Sequence, residues 1–384
     1  MRAFVKQLTA DSKPSSRPFP LAEAILWALA GGTMAGFLLW SQAAALGSTS
    51  SLLQVGVDSD LAPFVSGLFT DLHLVPGVGT DGQTYFAIAN DLKGDFAPSL
   101  MASPGLRYAR IGFPWLASLG GSISGAAVLY GMLTVITLSA AAASSLTMGF
   151  AAYFGMTRKV AFGLFGNLGW FLGIRVLTPD PMALALMLGG MLSAVHGRHK
   201  TSYVLFVCAV LTKEPYYAGA VAVAIWLWQQ RQRIRAAATV VLPAVAGAAA
   251  TAYTNAQIGS FADAPNVSWP AVGIFKASSY WLHAQPKDVF YSWLAIAAIV
   301  LAVAGGFATK HLLVRWSAWG WAAIGLLGSD WIWFFGNSTA RVLAPAWLFA
   351  IMCLASTRRS SDQASESFDS LVDLDQRGYG VGEA

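Results

Sequence analysis

An acidic residue stands at the predicted start of a short helix, within the longest polar interruption of an otherwise apolar chain. Thr80 and Gln83 have the Thr-x-x-Gln spacing of a capping box, in which the threonine caps the helix and the glutamine reaches back to it. Asp81 then lies in the first turn, where free backbone amides attract a carboxylate. It shares a helix face with Tyr85. This segment is a candidate reaction centre. The alternative is a capped surface helix whose aspartate only complements the helix dipole.

The composition places this segment in a membrane protein. Of the 384 residues, 56% are hydrophobic and 11% are charged, whereas soluble domains have about 25% charged residues. The net charge of +5 is a signal of membrane topology and does not indicate nucleic acid as a partner. The 2 cysteines lie in apolar runs and the 5 histidines are scattered, so neither residue type indicates a disulfide or a metal site.

Ten apolar segments approach the roughly 20 residues that a membrane-spanning helix needs. The first, from Leu21 to Leu46, is longer than the about 7–15 apolar residues of a signal peptide and is expected to stay as an anchor. The sequence therefore predicts an all-α polytopic protein with about ten transmembrane helices. The segments cover about 22–45, 122–150, 158–174, 181–196, 201–212, 216–230, 236–256, 289–308, 316–335 and 342–357.

The stretch from Ile111 to Phe150 has no charged residue, and one continuous helix would be about 60 Å long, twice the hydrocarbon thickness. Pro114 and the break at Gly120 predict an interfacial half-helix followed by one span. With one span, most basic residues fall on the cytoplasmic side, whereas two spans would move the later basic loops outside. Both termini are therefore predicted to be cytoplasmic.

The chain divides into two predicted parts. Residues 1–357 form the transmembrane domain, with outer loops at 46–121 and 257–288; the long first loop carries short interfacial helices. Residues 358–384 are rich in serine and aspartate and poor in large apolar residues. Such a segment buries too little apolar surface to fold, so it is predicted to be a disordered acidic cytoplasmic tail.

Two predicted hairpin turns repeat the pattern Leu-Thr-x-acid-Pro, at 177–181 and 211–215. The acids Asp180 and Glu214 each open a helix, with a proline suited to its first turn. Ionisable groups at the membrane edge are costly unless they face a cavity or each other. Because both turns lie on the predicted outer side, their acids favour a polar pocket shared with Asp81. The alternative is helix capping with local ion pairs.

Basic residues occur on the same predicted side. Arg107 and Arg110 precede the half-helix, Lys213 lies in the second turn, and Arg341 opens the last span. A cluster of cations at the membrane interface suits a phosphate group carried on a lipid. In the alternative interpretation, Arg107 and Arg110 only anchor the chain at the membrane interface. Arg341 then only pairs with Asp330.

Four short patterns, in this order, resemble the bacterial integral-membrane glycosyltransferases of the GT-C superfamily. They are Asp-Gly-Gln-x-Tyr at 81–85, Arg-Tyr-x-Arg-Ile-x-x-Pro at 107–114, the two Leu-Thr-x-acid-Pro turns, and Arg-Val-Leu-Ala-Pro at 341–345. The resemblance extends over about 80–357. The larger members have a soluble C-terminal domain, which is not expected here.

The resemblance implies a GT-C-like fold and transfer of mannose or another monosaccharide, with inversion, from a polyprenyl-phosphate donor. The acceptor is a glycan, glycolipid or protein at the outer face of a bacterial inner membrane. In this interpretation Asp81 is the general base. A divalent cation shared by Asp81 with Asp180 or Glu214 is left open, and no other cofactor is expected. The candidate substrate-binding residues are Gln83, Tyr85, Arg107, Arg110, Asp180, Lys213, Glu214 and Arg341.

Two other classes of function fit an apolar, multi-helical chain. One is a transporter or flippase for a lipid-linked or soluble solute, which would also place charged residues and broken helices in a membrane. Here the charges gather on one predicted side, and the repeated turns have the same orientation instead of an inverted one. The other is a non-catalytic membrane subunit that presents the first loop to a partner.

Overall fold

Helices make up the regular secondary structure in the part of the chain that the computed structural model describes: residues 19–258, 267–281, 283–334 and 336–356. Isolated β-bridges occur outside the helices, two of them joining the loop at Val55 and Gly56 to the segment before Asp81. The predicted all-α architecture is confirmed for these residues. The predicted tail at 358–384 lies outside them.

The helices are numbered here in chain order. The first nine are α1 (Leu21–Leu46), α2 (Ala62–Ser66), α3 (Asp81–Asn90), α4 (Pro104–Ala109), α5 (Gly112–Ala117), α6 (Ala127–Tyr153), α7 (Phe162–Phe165), α8 (Leu168–Arg175) and α9 (Asp180–Val195). The others are α10 (His199–Thr212), α11 (Tyr217–Gln229), α12 (Arg233–Gln257), α13 (Val272–Trp281), α14 (Pro286–Ala308), α15 (Leu312–Leu327), α16 (Asp330–Phe334), α17 (Gly336–Val342) and α18 (Ala344–Ser356).

Four of the described helices, α1, α6, α12 and α14, are long and apolar enough to cross a membrane. This set of helices fits an α-helical membrane protein. The other predicted spans contain shorter helices, such as α9 and α15 with 16 residues each and α11 with 13. These fall below the roughly 20 residues of a straight crossing, because polar turns and prolines occupy the ends of the apolar segments. Helix length therefore does not bear out the predicted count of ten.

The charge-free stretch folds as its breaks predict. It forms the short helix α5, a 3₁₀ turn over Ser118–Ser122, and the 27-residue helix α6. Helix α5 packs closely against α6, since a Cβ on Gly131 would lie 2.2 Å from the carbonyl oxygen of Ala117. Helix α6 packs in turn on α1 and α9. The fold-back of α5 leaves it beside α3.

Helix α3 lies inside the protein, and its residues from Gly82 to Ala89 are all buried. Its residues from Tyr85 to Ala89 are apolar on every side, as expected for a buried helix. It packs on α5, the start of α6 and the turn at 50–53. The alternative of a surface helix is therefore wrong, and the N-terminus of α3 opens into the end of the bundle where α9 and α11 begin.

Candidate functional site

Helix α3 begins at Asp81, as the sequence predicts. Thr80 is the residue before the helix, with an extended backbone at φ −122° and ψ 170°. The Asp81 carboxylate therefore lies in the first turn, beside the free amides of the helix start.

The predicted capping box does not form. Thr80 Oγ1 donates to the carbonyl oxygen of Leu53 at 3.4 Å, and Gln83 Nε2 donates to that of Val78 at 2.6 Å. The Thr80 amide is already bonded to the carbonyl oxygen of Gln54, so it has no need of the Gln83 side chain. The loop at Leu53 and Gln54 therefore replaces the bond that the capping box predicts at the Thr80 amide, and the Thr80 side chain does not cap the helix.

Two arginines hold the Asp81 carboxylate. Arg107 Nη1 lies 3.0 Å from Oδ1, and Arg341 Nη2 lies 3.0 Å from Oδ2. The Asp81 side chain is 33% exposed, whereas that of Arg341 is 9% exposed. Arg107 comes from α4 and Arg341 from α17, so the carboxylate joins two distant parts of the chain. Arg341 thus pairs with Asp81 and not with Asp330, the alternative partner that the sequence suggests.

The ionisation of Asp81 is set by two opposing effects. Burial raises its pKa, and the positive charges and hydrogen bonds of Arg107 and Arg341 lower it by more. The pKa therefore lies well below the usual value of an aspartate, and Asp81 is ionised throughout the physiological pH range.

A second ion pair brings the hairpin turn before α11 to the first loop. Arg110 Nε lies 3.0 Å from Glu214 Oε2 and 3.1 Å from Oε1. The same guanidinium donates from Nη1 to the Tyr85 hydroxyl at 3.4 Å. Burial raises the pKa of Tyr85, so its hydroxyl keeps its proton. Arg110 thus links α3 to the turn that carries Glu214.

A third ion pair joins the two Leu-Thr-x-acid-Pro turns. Lys213 Nζ lies 2.5 Å from Asp180 Oδ1, and the side chains are 8% and 2% exposed. Thr178 Oγ1 donates to the other carboxylate oxygen at 2.9 Å. The first turn therefore supplies the carboxylate of this pair, and the second turn supplies the lysine. The two turns therefore contact each other through this buried pair.

The cluster has an excess of positive charge. The cations Arg107, Arg110, Lys213 and Arg341 face the carboxylates of Asp81, Asp180 and Glu214, so four positive charges meet three negative ones. In addition, Arg341 Nε and Gln83 Oε1 are buried and have no hydrogen-bond partner among the described residues. A buried donor without a partner in a net positive site favours the binding of an anion.

Sequence reasoning did not find every residue that shapes the site. Thr178 and Ser338 hold Asp180 and Arg341 by hydrogen bonds. Tyr216 is 2% exposed and packs on Trp321 with ring centroids 5.0 Å apart. The repeated threonine of the two turns was a usable signal for Thr178, whereas nothing local distinguished Ser338 or Tyr216.

Another acid of the first loop has a purely structural role. The Asp91 carboxylate accepts hydrogen bonds of 2.8–3.1 Å from the amides of residues 94 to 97. Tyr108 also donates to its backbone carbonyl at 2.8 Å. Burial raises the pKa of Asp91, but the hydrogen bonds from the four amides lower it by more. The pKa therefore lies below the usual value of an aspartate. Asp91 orders the loop that places Arg107.

The donor set does not fit a resident metal ion. No group of three or more His, Cys, Asp or Glu side chains occurs among the described residues. Asp81, Asp180 and Glu214 are each already paired with arginine or lysine. A divalent cation has to displace these cations before it meets carboxylate oxygens.

Apolar cavities lie on two sides of the bundle. One of about 480 Å³ runs between α11 and α15, begins at Glu214 and continues over Tyr217, Val221, Ile225 and Ile324. A larger one of about 1140 Å³ runs along α6 and α9 to Arg198, and no residue of the charged cluster lines it. Glu214 is the one residue of the charged cluster that lines the smaller cavity, so this cavity reaches the edge of the cluster.

The chain matches no protein-family model, no curated protein and no solved structure.

Proposed function

We propose that this protein is a membrane glycosyltransferase that moves a sugar from a polyprenyl-phosphate donor to an acceptor. The observation that carries the proposal is the Asp81 carboxylate held at a helix start between Arg107 and Arg341, within a net positive cluster. The resemblance of the motifs at 81–85, 107–114 and 341–345 to the GT-C superfamily supports it. That resemblance also implies mannose or another monosaccharide as the sugar, and inversion at the anomeric carbon.

In the proposed reaction, Asp81 accepts the proton of an acceptor hydroxyl. The hydroxyl oxygen attacks the anomeric carbon opposite the phosphate, and the sugar–phosphate bond breaks with its electron pair on the phosphate oxygen. Arg107 and Arg341 stabilise the charge that grows there. Arg110 and Lys213 are paired with Glu214 and Asp180, and they contribute shape and positive potential.

The proposed donor has an apolar part as well as a charged one. The 480 Å³ cavity begins at Glu214 and is otherwise lined by apolar side chains between α11 and α15. A chain of isoprene units in this cavity would have its phosphate end near Glu214, whose carboxylate is paired with Arg110. The position of this cavity supports a lipid-linked donor over a free nucleotide sugar.

In the proposed topology this site lies at the outer face of a bacterial inner membrane, with both termini in the cytoplasm. We expect a cysteine at Val78, which is 72% exposed, to react with an impermeant thiol reagent in intact cells. A cysteine at the exposed Lys200 is expected to react only after lysis. Labelling of Lys200→Cys from outside contradicts this map. Gly79 is unsuitable as a probe because its φ of +77° strains any other residue.

The lowered pKa of Asp81 predicts the acid side of the pH profile. A general base loses activity as the pH falls through its pKa in the free enzyme. We therefore expect kcat/KM to show no acid limb from Asp81 between about pH 5 and pH 8, well above the usual aspartate pKa of about 3.9. Arg107→Gln removes one of the two guanidiniums that lower the pKa of Asp81. The acid limb of kcat/KM is therefore expected at higher pH in this variant than in the wild type. An acid limb of the wild type inside this range contradicts the assignment of a base with a lowered pKa.

The deciding experiment is a transfer assay on membranes with a panel of radiolabelled polyprenyl-phosphate sugars. We expect wild-type membranes to transfer at least one sugar, and Asp81→Asn membranes to transfer far less. The exposed Asp58 gives a matched control, Asp58→Asn, which removes a carboxylate outside the cluster. Binding of a donor without transfer of any sugar supports a transporter or a non-catalytic subunit instead.

A further inference from the structure

The geometry around Asp81 conflicts with its proposed role. General bases work best when their pKa lies near the working pH. Both oxygens of Asp81 are paired with guanidinium groups at 3.0 Å, and such a carboxylate binds a proton only weakly. A proton acceptor in this position needs the arginines to change partner during the reaction.

We infer that Arg107 and Arg341 are shared counter-ions that move from the Asp81 carboxylate to the phosphate of the donor as the sugar leaves. This inference rests on the proposed function and adds to it a second role for the two arginines. They keep Asp81 ionised and weakly basic before the transfer, and they release it as the departing phosphate gains its second negative charge.

The charges balance in each state. A donor phosphodiester has one negative charge, and with ionised Asp81 the arginines face two. After transfer, Asp81 has bound the proton of the acceptor hydroxyl, and the phosphate monoester has two negative charges. The total is again two, so two arginines neutralise the site before and after the reaction. The negative charge moves from the carboxylate to the phosphate, and the counter-ions follow it.

The arginines have donors available for this exchange. Arg341 Nε is buried and has no partner among the described residues, while Nη2 contacts Asp81 and Ser338. Arg107 is 26% exposed and uses Nε to bond the carbonyl oxygen of Ala102. A phosphate oxygen at Arg341 Nε therefore gains a hydrogen bond that the protein leaves unmade.

Few other ionisable groups of the described residues compete in this exchange. Helix α3 adds Tyr85, whose hydroxyl accepts from Arg110, itself paired with Glu214. Helix α9 adds Asp180, which attracts Arg341 and is paired with Lys213. The segments that pack on α3 from the other sides, α5, the first turns of α6 and the turn at 50–53, contribute no charged side chain. Asp81 is thus the carboxylate that an incoming phosphate displaces.

The experiment uses farnesyl phosphate, a short isoprenoid monoester, with the purified full-length protein in detergent. At pH 8 this probe is a dianion, since its second pKa is about 6. We expect Asp81→Asn to bind it about tenfold more tightly than the wild type, because the competing carboxylate is gone and close charge pairs are worth at least this much. Asp58→Asn is the matched control, with an expected affinity equal to that of the wild type.

Proton uptake gives an independent measure of the exchange. Calorimetry in two buffers with different ionisation enthalpies is expected to show that the wild type takes up a proton when it binds farnesyl phosphate. Asp81→Asn is expected to take up none. Equal affinity in the wild type and Asp81→Asn, or equal proton uptake, overturns the inference.

A second variant covers the case in which Asp81→Asn does not insert. Arg107→Gln is expected to weaken farnesyl phosphate binding about tenfold, and an unchanged affinity also overturns the inference. These binding measurements do not depend on sugar transfer. A protein that transfers sugar without the exchange contradicts only this inference, and one that shows the exchange but transfers no sugar contradicts only the proposed function.

Discussion

Asp81→Asn is expected to lower the turnover of sugar transfer by about 10²–10⁴-fold, the usual contribution of a general base. Asparagine keeps the size and shape of the side chain but does not accept the proton. The donor still binds, because Arg107 and Arg341 remain. The measurement is the turnover of sugar transfer in membranes with matched amounts of inserted protein, since a change of charge near the interface affects insertion.

Two other carboxylates of the cluster test whether the base has been placed correctly. Asp180→Asn and Glu214→Gln each leave a cation without its partner, Lys213 or Arg110. They are expected to reduce turnover less than Asp81→Asn, because they change the shape and potential of the pocket and leave the proton acceptor in place. If Asp81→Asn keeps near wild-type turnover while either of these abolishes it, the base lies on a hairpin turn.

Some helix boundaries could be predicted from the sequence because they depend on local composition. The start of α3 at Asp81 and the break before α6 follow from residues next to each other in the chain. The number of membrane crossings could not be predicted in the same way. Hydropathy locates apolar segments, but the polar and proline-containing turns at their ends decide how many residues remain helical, as in the 16 residues of α9.

The sequence singles out the charged residues of the candidate site, but it does not predict how they pair. The repeated turns indicate a pocket that Asp180 and Glu214 share with Asp81. The structure joins the two turns through the Lys213–Asp180 pair and joins Glu214 to Arg110. One of the two partners of Asp81 is Arg341, which lies 260 residues away. Only the tertiary fold pairs Arg341 with Asp81 instead of Asp330. Gln83 shows the same limit, because a loop from elsewhere in the chain replaced its predicted capping bond.

Lys213→Met is expected to destabilise the protein by about 3–5 kcal/mol, because it leaves the Asp180 carboxylate buried without its counter-ion. Asp180 is 2% exposed, so water compensates little of the lost interaction. The free energy of unfolding is measured in mixed micelles with increasing amounts of a denaturing detergent. A cost below about 1 kcal/mol, the range of exposed ion pairs, contradicts the buried character of this pair.

The double variant Lys213→Met with Asp180→Leu separates stability from activity. Replacing both members of a buried pair by apolar residues of similar size is often neutral for stability, so most of the loss is expected to be recovered. Transfer activity is not expected to recover, because Asp180 also attracts Arg341 and its removal leaves Asp81 to hold that arginine alone. The counter-ion then passes to the phosphate less readily, and turnover falls although the fold is restored. A double variant that regains both stability and turnover shows that the pair only holds α9 and α10 together.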